Sequence, residues 1–299
     1  MLNSRQVLDK GFEIAASIPG LSRVMARDTG LAMVFHQIID SRRPYEGTAF
    51  CNQLRPDFHE VIEFLGKISS SSTDLWITFD DGYAAAAEAL NEVAPRFPNA
   101  RFVFFVCPEK TRENVGFRWD AWERQNDAGG RAVDFLSFTR GPASPEENRR
   151  VDLRETANDD RFRLATTEQC IALQAHSNVY LGNHSNRHIE LSTMNAEEAD
   201  DEIRSSTSLF ASMFGSAEHF AFPYGTPGVS YSEGHVELLR SLGYRYIWST
   251  EPLGFRPGSL ESITIPRVPV SGLRTASQTN ANITKYLLKT KLHRIRSRV

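Results

Sequence analysis

The chain has 299 residues, enough for one or two domains with a full hydrophobic core. Its 40% of hydrophobic and 24% of charged residues are close to the average for globular proteins and exclude a disordered or collagen-like chain. The 37 acidic residues against 34 lysines and arginines leave a net charge of −3, which argues against a nucleic-acid-binding protein.

The amino-terminal segment, residues 1–30, is predicted to form a helical extension that precedes the main domain. Its apolar positions are interrupted by Arg5, Asp9, Lys10 and Glu13, so the continuous apolar region of a signal peptide is missing. No stretch of the sequence approaches the ~18 to 20 apolar residues that span a bilayer. With only three cysteines and no CxxC pair, the sequence leads us to expect a cytoplasmic protein.

Seven short apolar runs rich in β-branched and aromatic residues recur along the chain, at 31–35, 75–79, 101–106, 179–182, 219–222, 244–248 and 262–266. Most are separated by segments with helical patterning, at 56–68, 83–97, 195–214 and 231–243. Strands that alternate with helices are typical of a parallel α/β sheet, and this number of strands approaches that of a closed (β/α) barrel.

The run at 75–79 leads directly into two adjacent carboxylates, Asp80 and Asp81, followed by Gly82. Adjacent negative charges repel each other, and a bound cation resolves this conflict if one Asp ligates it while the other stays free as a base. Gly82 permits the tight turn that directs both side chains towards one point. An ordinary turn in which an Asp caps the next helix is the alternative.

Residues 109–163 break the alternation of strands and helices, because they are strongly charged, contain Gly and Pro and have few apolar positions. We predict an insertion, or lid, between the third strand and the next helix. A partly disordered loop is the alternative.

The run at 179–182 is followed by His184 and His188, whose spacing of four residues allows both to bind one ion. Together with one of the two Asp residues they supply three protein ligands and leave one coordination position open, which is the composition of a catalytic metal site. Two surface histidines without a metal are the alternative.

Further candidate residues stand at the ends of other runs. Tyr224 lies in a Pro-Tyr-Gly turn after 219–222, where a backbone N–H could stabilise an oxyanion unless the turn is an ordinary one. His36, Trp248 and Arg267 also stand at predicted strand ends. Because the carboxyl ends of the strands carry the active site of an α/β barrel, we expect these residues on one face.

A basic tail is predicted at 271–299, where residues 285–299 carry six Lys or Arg and no acid. It is either a solvated terminus or a weak contact with anionic lipid headgroups, at the inner surface of the membrane, or with an acidic polymer. A lipid contact is worth ~1 kcal/mol per basic residue.

Three motifs, in this order, are similar to those of a known family. T-F-D-D-G at 78–82, H-S-x-x-H at 184–188 and F-x-F-P-Y-G at 220–225 resemble the first three motifs of the polysaccharide deacetylases, also called the NodB-homology family or carbohydrate esterase family 4. The resemblance implies one domain over residues 31–270, folded as a distorted (β/α) barrel that contains the charged insertion.

The family resemblance also implies a reaction and its site. A divalent metal ion, often zinc, would be held by Asp81, His184 and His188, with Asp80 as the catalytic base. The backbone N–H of Tyr224 would support the oxyanion while an N-acetyl group is hydrolysed from an amino sugar, a polysaccharide or a glycan precursor. The implied partner is an N-acetylated sugar, and the net charge already argues against a nucleic acid.

Two departures from the family pattern concern the general acid and the neighbour of the base. The third motif often carries an Arg before its Pro-Tyr pair, where this chain has Ala221, and the family's Leu-x-His motif near the carboxyl-terminal end is not evident. We predict that Arg267 orients Asp80 in place of the missing Arg. We also predict that His36 is the general acid, because an imidazole with a pKa near ~6.5 can protonate the leaving amine at neutral pH. The alternative is that a metal-bound water donates this proton and that His36 only bonds a neighbouring loop.

Aromatic side chains are predicted to contact the sugar, since the apolar C–H faces of sugar rings pack on aromatic surfaces. Trp119 and Trp122 in the insertion would line the substrate site together with Trp248, unless the first two anchor the insertion to the barrel. Two other functions stay open: hydrolysis of a non-sugar amide or cyclic ureide on the same barrel, and carbohydrate binding by a relative with impaired catalysis.

Overall fold

Strands and helices alternate along the chain much as the apolar patterning predicts. The computed structural model describes Ile14, Ile18 and residues 20–41, 52–69, 73–127, 153–262, 264–270 and 275–296. Within these residues the strands are β1 Gly30–Phe35, β2 Gln37–Ile39, β3 Asn52–Leu54, β4 Asp74–Phe79, β5 Arg101–Val106, β6 Val179–Asn183, β7 His219–Ala221, β8 Tyr246–Trp248, β9 Thr264–Ile265 and β10 Val268–Pro269. The α-helices are α1 Leu21–Ala26, α2 Arg55–Ile68, α3 Ala84–Val93, α4 Pro108–Glu113, α5 Arg118–Asp127, α6 Leu153–Ala157, α7 Thr167–Leu173, α8 Ala196–Phe214, α9 Glu233–Ser241 and α10 Ala276–Arg296. Short 3₁₀ turns cover Ala94–Arg96, Leu191–Thr193 and Leu260–Ser262.

One parallel sheet of eight strands has the order β10-β1-β4-β5-β6-β7-β8-β9, and β2 pairs with β3 in a small second sheet. Strands β9 and β10 stand at opposite ends of this order, although only Pro266 and Arg267 separate them in the chain. The three Cα–Cα steps from one strand to the other span at most about 11 Å, so the two edges of the sheet come together. The sheet therefore curls into a distorted (β/α) barrel, which confirms the predicted fold class.

The strands are buried on both sides, as expected of parallel strands that helices cover. Every residue of β1 is buried, and so is every residue but the first in β4 and β5. Alternate residues of a strand point to opposite sides of the sheet. One set packs inside the barrel: Ala32, Trp76, Val103, Phe105, Ala221, Trp248 and Ile265. The other set packs against the helices: Leu31, Met33, Phe35, Leu75, Ile77, Phe79, Phe102 and Phe104.

The helices that cover the sheet begin at recognisable residues. α2 has Pro56 in its first turn, where the N–H that proline lacks has no helical partner, and it buries Phe58 and Val61 on its apolar face. α8 begins at the predicted cap, since the Asn195 side chain accepts the N–H of Glu198 while the Glu198 side chain accepts the N–H of Asn195.

The predicted insertion is mostly helical where it is described, with α4 at its start and α5 and α6 within it. The first and the last described parts of the insertion are joined by a hydrogen bond, in which the N–H of Gly116 donates to the carbonyl of Leu153 at 2.9 Å. The chain then returns to the barrel beside the Asp-Asp-Gly turn, where Tyr83 and Leu164 form a β-bridge. Residues 128–152, on which the alternative of a disordered loop depends, lie outside the described residues.

The predicted basic tail is largely a helix packed on the rest of the protein. α10 contacts α1 and α2 and buries Ile283 and Leu287, and Lys291 Nζ donates to the carbonyl of Arg27. This packing corrects the interpretation of the whole tail as a solvated terminus, because its apolar residues have a surface to cover. The side chains from residue 293 onwards and most of residues 1–19 lie outside the described residues, and the membrane contact stays a prediction. Among the helices described, none is long and apolar enough to cross a bilayer.

Candidate active site at the carboxyl ends of the strands

Strand pairing gathers the polar residues that the sequence analysis singles out. β1 and β4 pair in register, so that His36 and Asp80 follow them side by side, and the N–H of Asp80 donates to the carbonyl of Phe35 at 2.9 Å. His184 directly follows β6, and its N–H donates to the carbonyl of Val106 at the end of β5, also at 2.9 Å. Residues far apart in sequence therefore lie on one rim of the barrel.

The Asp-Asp-Gly turn has a backbone conformation that few residues adopt. Asp81 has a φ of 72° and Gly82 a φ of 82°, both in the left-handed region. A Cβ atom on Gly82 would lie 3.3 Å from a methyl group of Val106, so this position favours glycine for both its conformation and its packing. The turn gives the two carboxylates different main partners, since Asp80 pairs with Arg267 and Asp81 lies beside His188, while His184 is 3.7 Å from both.

Asp80 forms a buried, two-point ion pair with Arg267. Arg267 Nη1 donates to Asp80 Oδ1 at 2.6 Å, and Nη2 donates to Oδ2 at 2.9 Å. Arg267 is 0% exposed and also donates to the carbonyl of Ser249 at 3.0 Å and to the hydroxyl of Thr78 at 3.1 Å. Burial is the strongest single effect on Asp80 and raises the pKa of its carboxyl, but the charge and hydrogen bonds of Arg267, together with His184 and His36, outweigh it and hold this pKa below its usual value.

Asp81, His184 and His188 converge on one point. Each offers one ligand atom, and these atoms lie within 4.8 Å of one another. His188 Nε2 is 3.2 Å, and His184 Nε2 3.7 Å, from Asp81 Oδ1. His184 Nδ1 lies 2.8 Å from the carbonyl of Ala221, to which it donates, so its Nε2 carries the lone pair that faces Asp81.

The charges of these three groups fit a divalent metal ion. Burial lowers the pKa of His184 to about 4, which keeps its imidazole neutral at neutral pH. Burial is the strongest single effect on Asp81 and raises the pKa of its carboxyl, but His188, His36 and His184 together outweigh it and lower this pKa to about 2. Asp81 Oδ1 is buried without a hydrogen-bond partner among the described residues, a cost that a cation would remove. One carboxylate oxygen with two imidazole nitrogens is a donor set typical of zinc.

Aromatic rings surround His188. Phe117 and Trp119 stack on each other with centroids 4.3 Å apart, and the ring of Trp119 meets the ring of His188 edge to face at 4.8 Å. The centroid of the Tyr224 ring lies 5.2 Å from that of the His188 ring. Tyr224 has a left-handed φ of 61° within the Pro-Tyr-Gly turn. The rim of the ligand site is therefore apolar on the side of the insertion.

The structure separates the two tryptophans of the insertion. Trp119 is partly exposed at the rim, and its Nε1–H donates to the hydroxyl of Tyr83 at 2.7 Å. Trp122 is 6% exposed and packs with Ala121 and Leu153. Trp122 therefore anchors the insertion, which corrects its predicted sugar contact, because a ring buried in this way has no face left for a ligand.

Trp248 does not line the substrate site either. It is 0% exposed inside the barrel, where its Nε1–H donates to His219 Nδ1 at 3.3 Å. The predicted substrate contact is wrong for Trp248, since its position at a strand end does not reveal that its side chain points inward.

His36 lies at the rim, partly exposed, with Nδ1 unpartnered among the described residues. Its charge lowers the pKa of both Asp80 and Asp81.

Tyr83 and Asp120 are rim residues that the sequence analysis did not identify. The Tyr83 hydroxyl donates to the Asp120 carboxylate at 2.8 Å and accepts the Nε1–H of Trp119, which links the Asp-Asp-Gly turn to the insertion. Burial and the charge of Asp120 raise the pKa of Tyr83 well above its usual value, so its hydroxyl stays protonated. The sequence could have indicated both residues, because Tyr83 directly follows Asp-Asp-Gly and Asp120 directly follows Trp119.

Comparison with known proteins agrees with this geometry. The sequence profile described as "Polysaccharide deacetylase" matches residues 67–247, more than half of the chain. The fold is similar to that of a polysaccharide deacetylase from Bacillus cereus, with a TM-score of 0.56 and 13% identity over 85% of this chain and 69% of that one. It is also similar to IcaB from Ammonifex degensii (TM-score 0.55, 17% identity, 86% and 97% covered). A third similar structure is the Streptococcus pyogenes deacetylase PplD in complex with acetate (TM-score 0.52, 14% identity, 88% and 97% covered). No curated protein matches the chain in sequence.

Proposed function

Because the chain belongs to the polysaccharide deacetylase family, which makes it a hydrolase of carbon–nitrogen bonds other than peptide bonds, we propose that it removes N-acetyl groups from an amino sugar in a polysaccharide or glycan precursor. The observation that carries this proposal is the convergence of Asp81, His184 and His188 beside a second carboxylate, Asp80, which Arg267 holds in place. The two adjacent carboxylates then have separate tasks.

Asp81, His184 and His188 would hold a divalent metal ion, for which the donor set favours zinc. When bound, such an ion polarises the acetyl carbonyl and lowers the pKa of a water molecule towards ~7. The protein contributes one ionised carboxylate and two imidazoles, which are buried and already close together. Three protein ligands leave a position open for the substrate.

Asp80 is the proposed general base. Both of its oxygens accept hydrogen bonds from Arg267, so the carboxylate is held in one orientation. Its Oδ2 lies 3.7 Å from His184 Nε2 and so borders the ligand atoms. Oδ2 would take the proton of the attacking water, and Arg267 keeps this oxygen ionised until then.

The leaving amine must gain a proton as the C–N bond breaks, and His36 is the proposed donor. It follows β1 directly beside Asp80, and its partly exposed ring can face both the carboxylates and a substrate. The backbone N–H of Tyr224 is the proposed donor to the oxyanion, since its turn brings Tyr224 against His188.

Trp119 is the proposed contact for the sugar ring. It is partly exposed, it lies 4.8 Å from the ring of His188, and its indole N–H is already bound to Tyr83. The stacked Phe117 supports the indole from behind. A fixed aromatic surface at this distance from the ligand atoms would hold a sugar while its acetyl group reacts.

The test is the release of acetate from chitin oligomers by zinc-loaded and metal-free protein, with the zinc content of each chain measured in parallel. We expect one zinc per chain and acetate release by the loaded protein. His184→Ala should lose both, because it removes one of three ligands. His176→Ala is the matched control, since His176 pairs with Asn91 away from the rim and should keep both.

Three outcomes contradict parts of this proposal. Full zinc content in His184→Ala would overturn the ligand set. Zinc and sugar binding without acetate release would favour the carbohydrate-binding alternative. Cleavage of small non-sugar amides or cyclic ureides alone would favour the other hydrolase.

A further inference from the structure

The two candidate histidine ligands are held in different ways. His184 is tied to the sheet, since its N–H donates to Val106, its Nδ1–H donates to Ala221, and its carbonyl accepts Cys107 Sγ at 3.4 Å. The Nδ1 of His188 is buried and has no hydrogen-bond partner within the described residues. Metal-ligating histidines are usually oriented through their second ring nitrogen. His188 must therefore be positioned by ring packing and by its own backbone.

The backbone that carries His188 is strained. Ser185 has a φ of 59° and His188 a φ of 57°, so both residues adopt the left-handed conformation that side chains disfavour. A loop with two such residues persists only where surrounding contacts determine its shape. The contacts in question lie between these two positions, at Asn186 and Arg187.

Glu202 supplies those contacts from α8. Its Oε1 accepts the backbone N–H of Asn186 at 2.9 Å and that of Arg187 at 2.8 Å, while its Oε2 accepts Arg187 Nε–H at 2.8 Å. Glu202 is 3% exposed, and the Nδ2–H of Asn186 makes a further bond, at 3.1 Å, to Ser205 on the same helix. A buried carboxylate is thus bound by two consecutive backbone N–H groups of the loop between the two ligands.

We propose that Glu202 is a positioning residue that fixes His188 for metal binding by holding the backbone of residues 185–188. The inference rests on the proposed metal-dependent function, and it extends that function to a residue on another element. The negative charge matters, because both N–H groups and the Arg187 guanidinium donate to it. An amide in its place would offer one acceptor oxygen and would point its own N–H groups at a donor.

The experiment measures metal binding and uses no sugar. Zinc affinity is determined by competition with a chromophoric chelator, and the visible absorption of the cobalt-loaded protein reports ligand geometry. We expect Glu202→Gln to weaken zinc binding about 10- to 100-fold and to change the cobalt spectrum. Asp201→Asn is the matched control, because it makes the same charge change at the preceding position of α8, which is exposed. This variant should bind zinc as the wild type does.

A double-substitution cycle separates positioning from general destabilisation. If Glu202 acts through His188, Glu202→Gln should cost no further zinc affinity in a protein that already carries His188→Ala. An equal loss in both backgrounds would show that Glu202 supports only the fold and would overturn the proposal. Glu202→Asp, which keeps the charge but shortens the side chain, should give an intermediate loss and serves as the test should Glu202→Gln not fold.

The remaining outcomes are also decisive. Wild-type zinc affinity and cobalt spectrum in Glu202→Gln would overturn the positioning role. A wild type that binds zinc without releasing acetate would contradict the proposed function while leaving the Glu202 result intact. A wild type that binds neither metal would overturn both.

Discussion

The two ends of the barrel both bury histidine, but in opposite surroundings. At the carboxyl ends of the strands, His184 and His188 face ionised carboxylates and lie on a rim where Asp81, Ser185, His188 and Tyr224 all have left-handed backbones. At the amino ends, His219 is packed among rings, with Tyr246 at 4.7 Å, Tyr180 at 5.3 Å and Trp76 at 5.6 Å.

The difference shows that burial alone does not mark a site. His219 at the amino end accepts one hydrogen bond, from Trp248, and burial lowers its pKa to about 3, so it is a neutral part of the core. The rim adds convergent charge, backbone strain and a buried carboxylate oxygen that has no hydrogen-bond partner in the part of the chain that the structure describes. These features cost stability, and together they are typical of a functional site.

Removal of the charge of Asp80 should have the largest effect on activity. Asp80→Asn should lower kcat by about 10²- to 10⁴-fold while zinc stays bound, because the amide keeps the shape of the base without its basicity. Asp74→Asn is the control at the other end of the same strand, where Asp74 pairs with Arg101, and it should leave kcat near the wild-type value. Zinc loss in Asp80→Asn with zinc retention in Asp81→Asn would show that the two carboxylates have exchanged roles.

Arg267→Met should destabilise the protein by about 3–5 kcal/mol at pH 7, since it leaves the Asp80 carboxylate buried without its partner. Urea unfolding followed by circular dichroism measures this loss. The loss should shrink in the double variant Asp80→Asn/Arg267→Met, in which no charge is left unpaired. Arg245→Met removes an exposed arginine paired with Glu218 and should cost less than about 1 kcal/mol. Equal losses in both arginine variants would contradict the buried pair.

Trp119→Ala and Trp122→Ala should separate substrate binding from anchoring. Trp122→Ala should lower the unfolding free energy by about 3–5 kcal/mol with KM unchanged, because it empties a buried site. Trp119→Ala should raise KM about tenfold, because a partly exposed ring at the rim is lost. Steady-state kinetics and thermal unfolding of both variants check this, and an unchanged KM in Trp119→Ala would remove Trp119 from the substrate site.

Protonation of His219, the histidine at the amino end, should make the unfolding free energy depend on pH. His219 has a pKa of about 3 in the folded protein, against an ordinary value of 6.5 in the unfolded chain, so below pH 6.5 the unfolded chain binds more protons. Its contribution is present above pH 6.5 and is lost as the pH falls towards 3. His219→Asn, which keeps an acceptor for Trp248, should make the slope of unfolding free energy between pH 6 and 4.5 shallower by up to ~1.4 kcal/mol per pH unit. An unchanged slope in His219→Asn would contradict the role of His219 as a neutral core residue. As a control, kcat of this variant at pH 7 should stay near the wild-type value.

Much of the fold follows from neighbouring residues. The seven predicted runs correspond to β1 and β4 to β9, and the Asn195 cap begins α8 as predicted. Strands β2, β3 and β10, each of two or three residues, are not predicted from the sequence. β10 pairs with β1 only because the sheet closes on itself through Pro266 and Arg267.

The sequence by itself determined the order of strands and helices, the residue types at the strand ends and the motif pattern of the family, because these depend on spacings of a few residues. The departure from the family motif led us to predict that Arg267 orients Asp80, but only the tertiary structure decided the buried, two-point pair that joins them across 187 positions of the chain. It also decided that Trp119 lies at the rim while Trp122 and Trp248 are buried. Burial and long-range pairing depend on which surfaces pack together, and that information is spread over the whole chain and not held in any one segment.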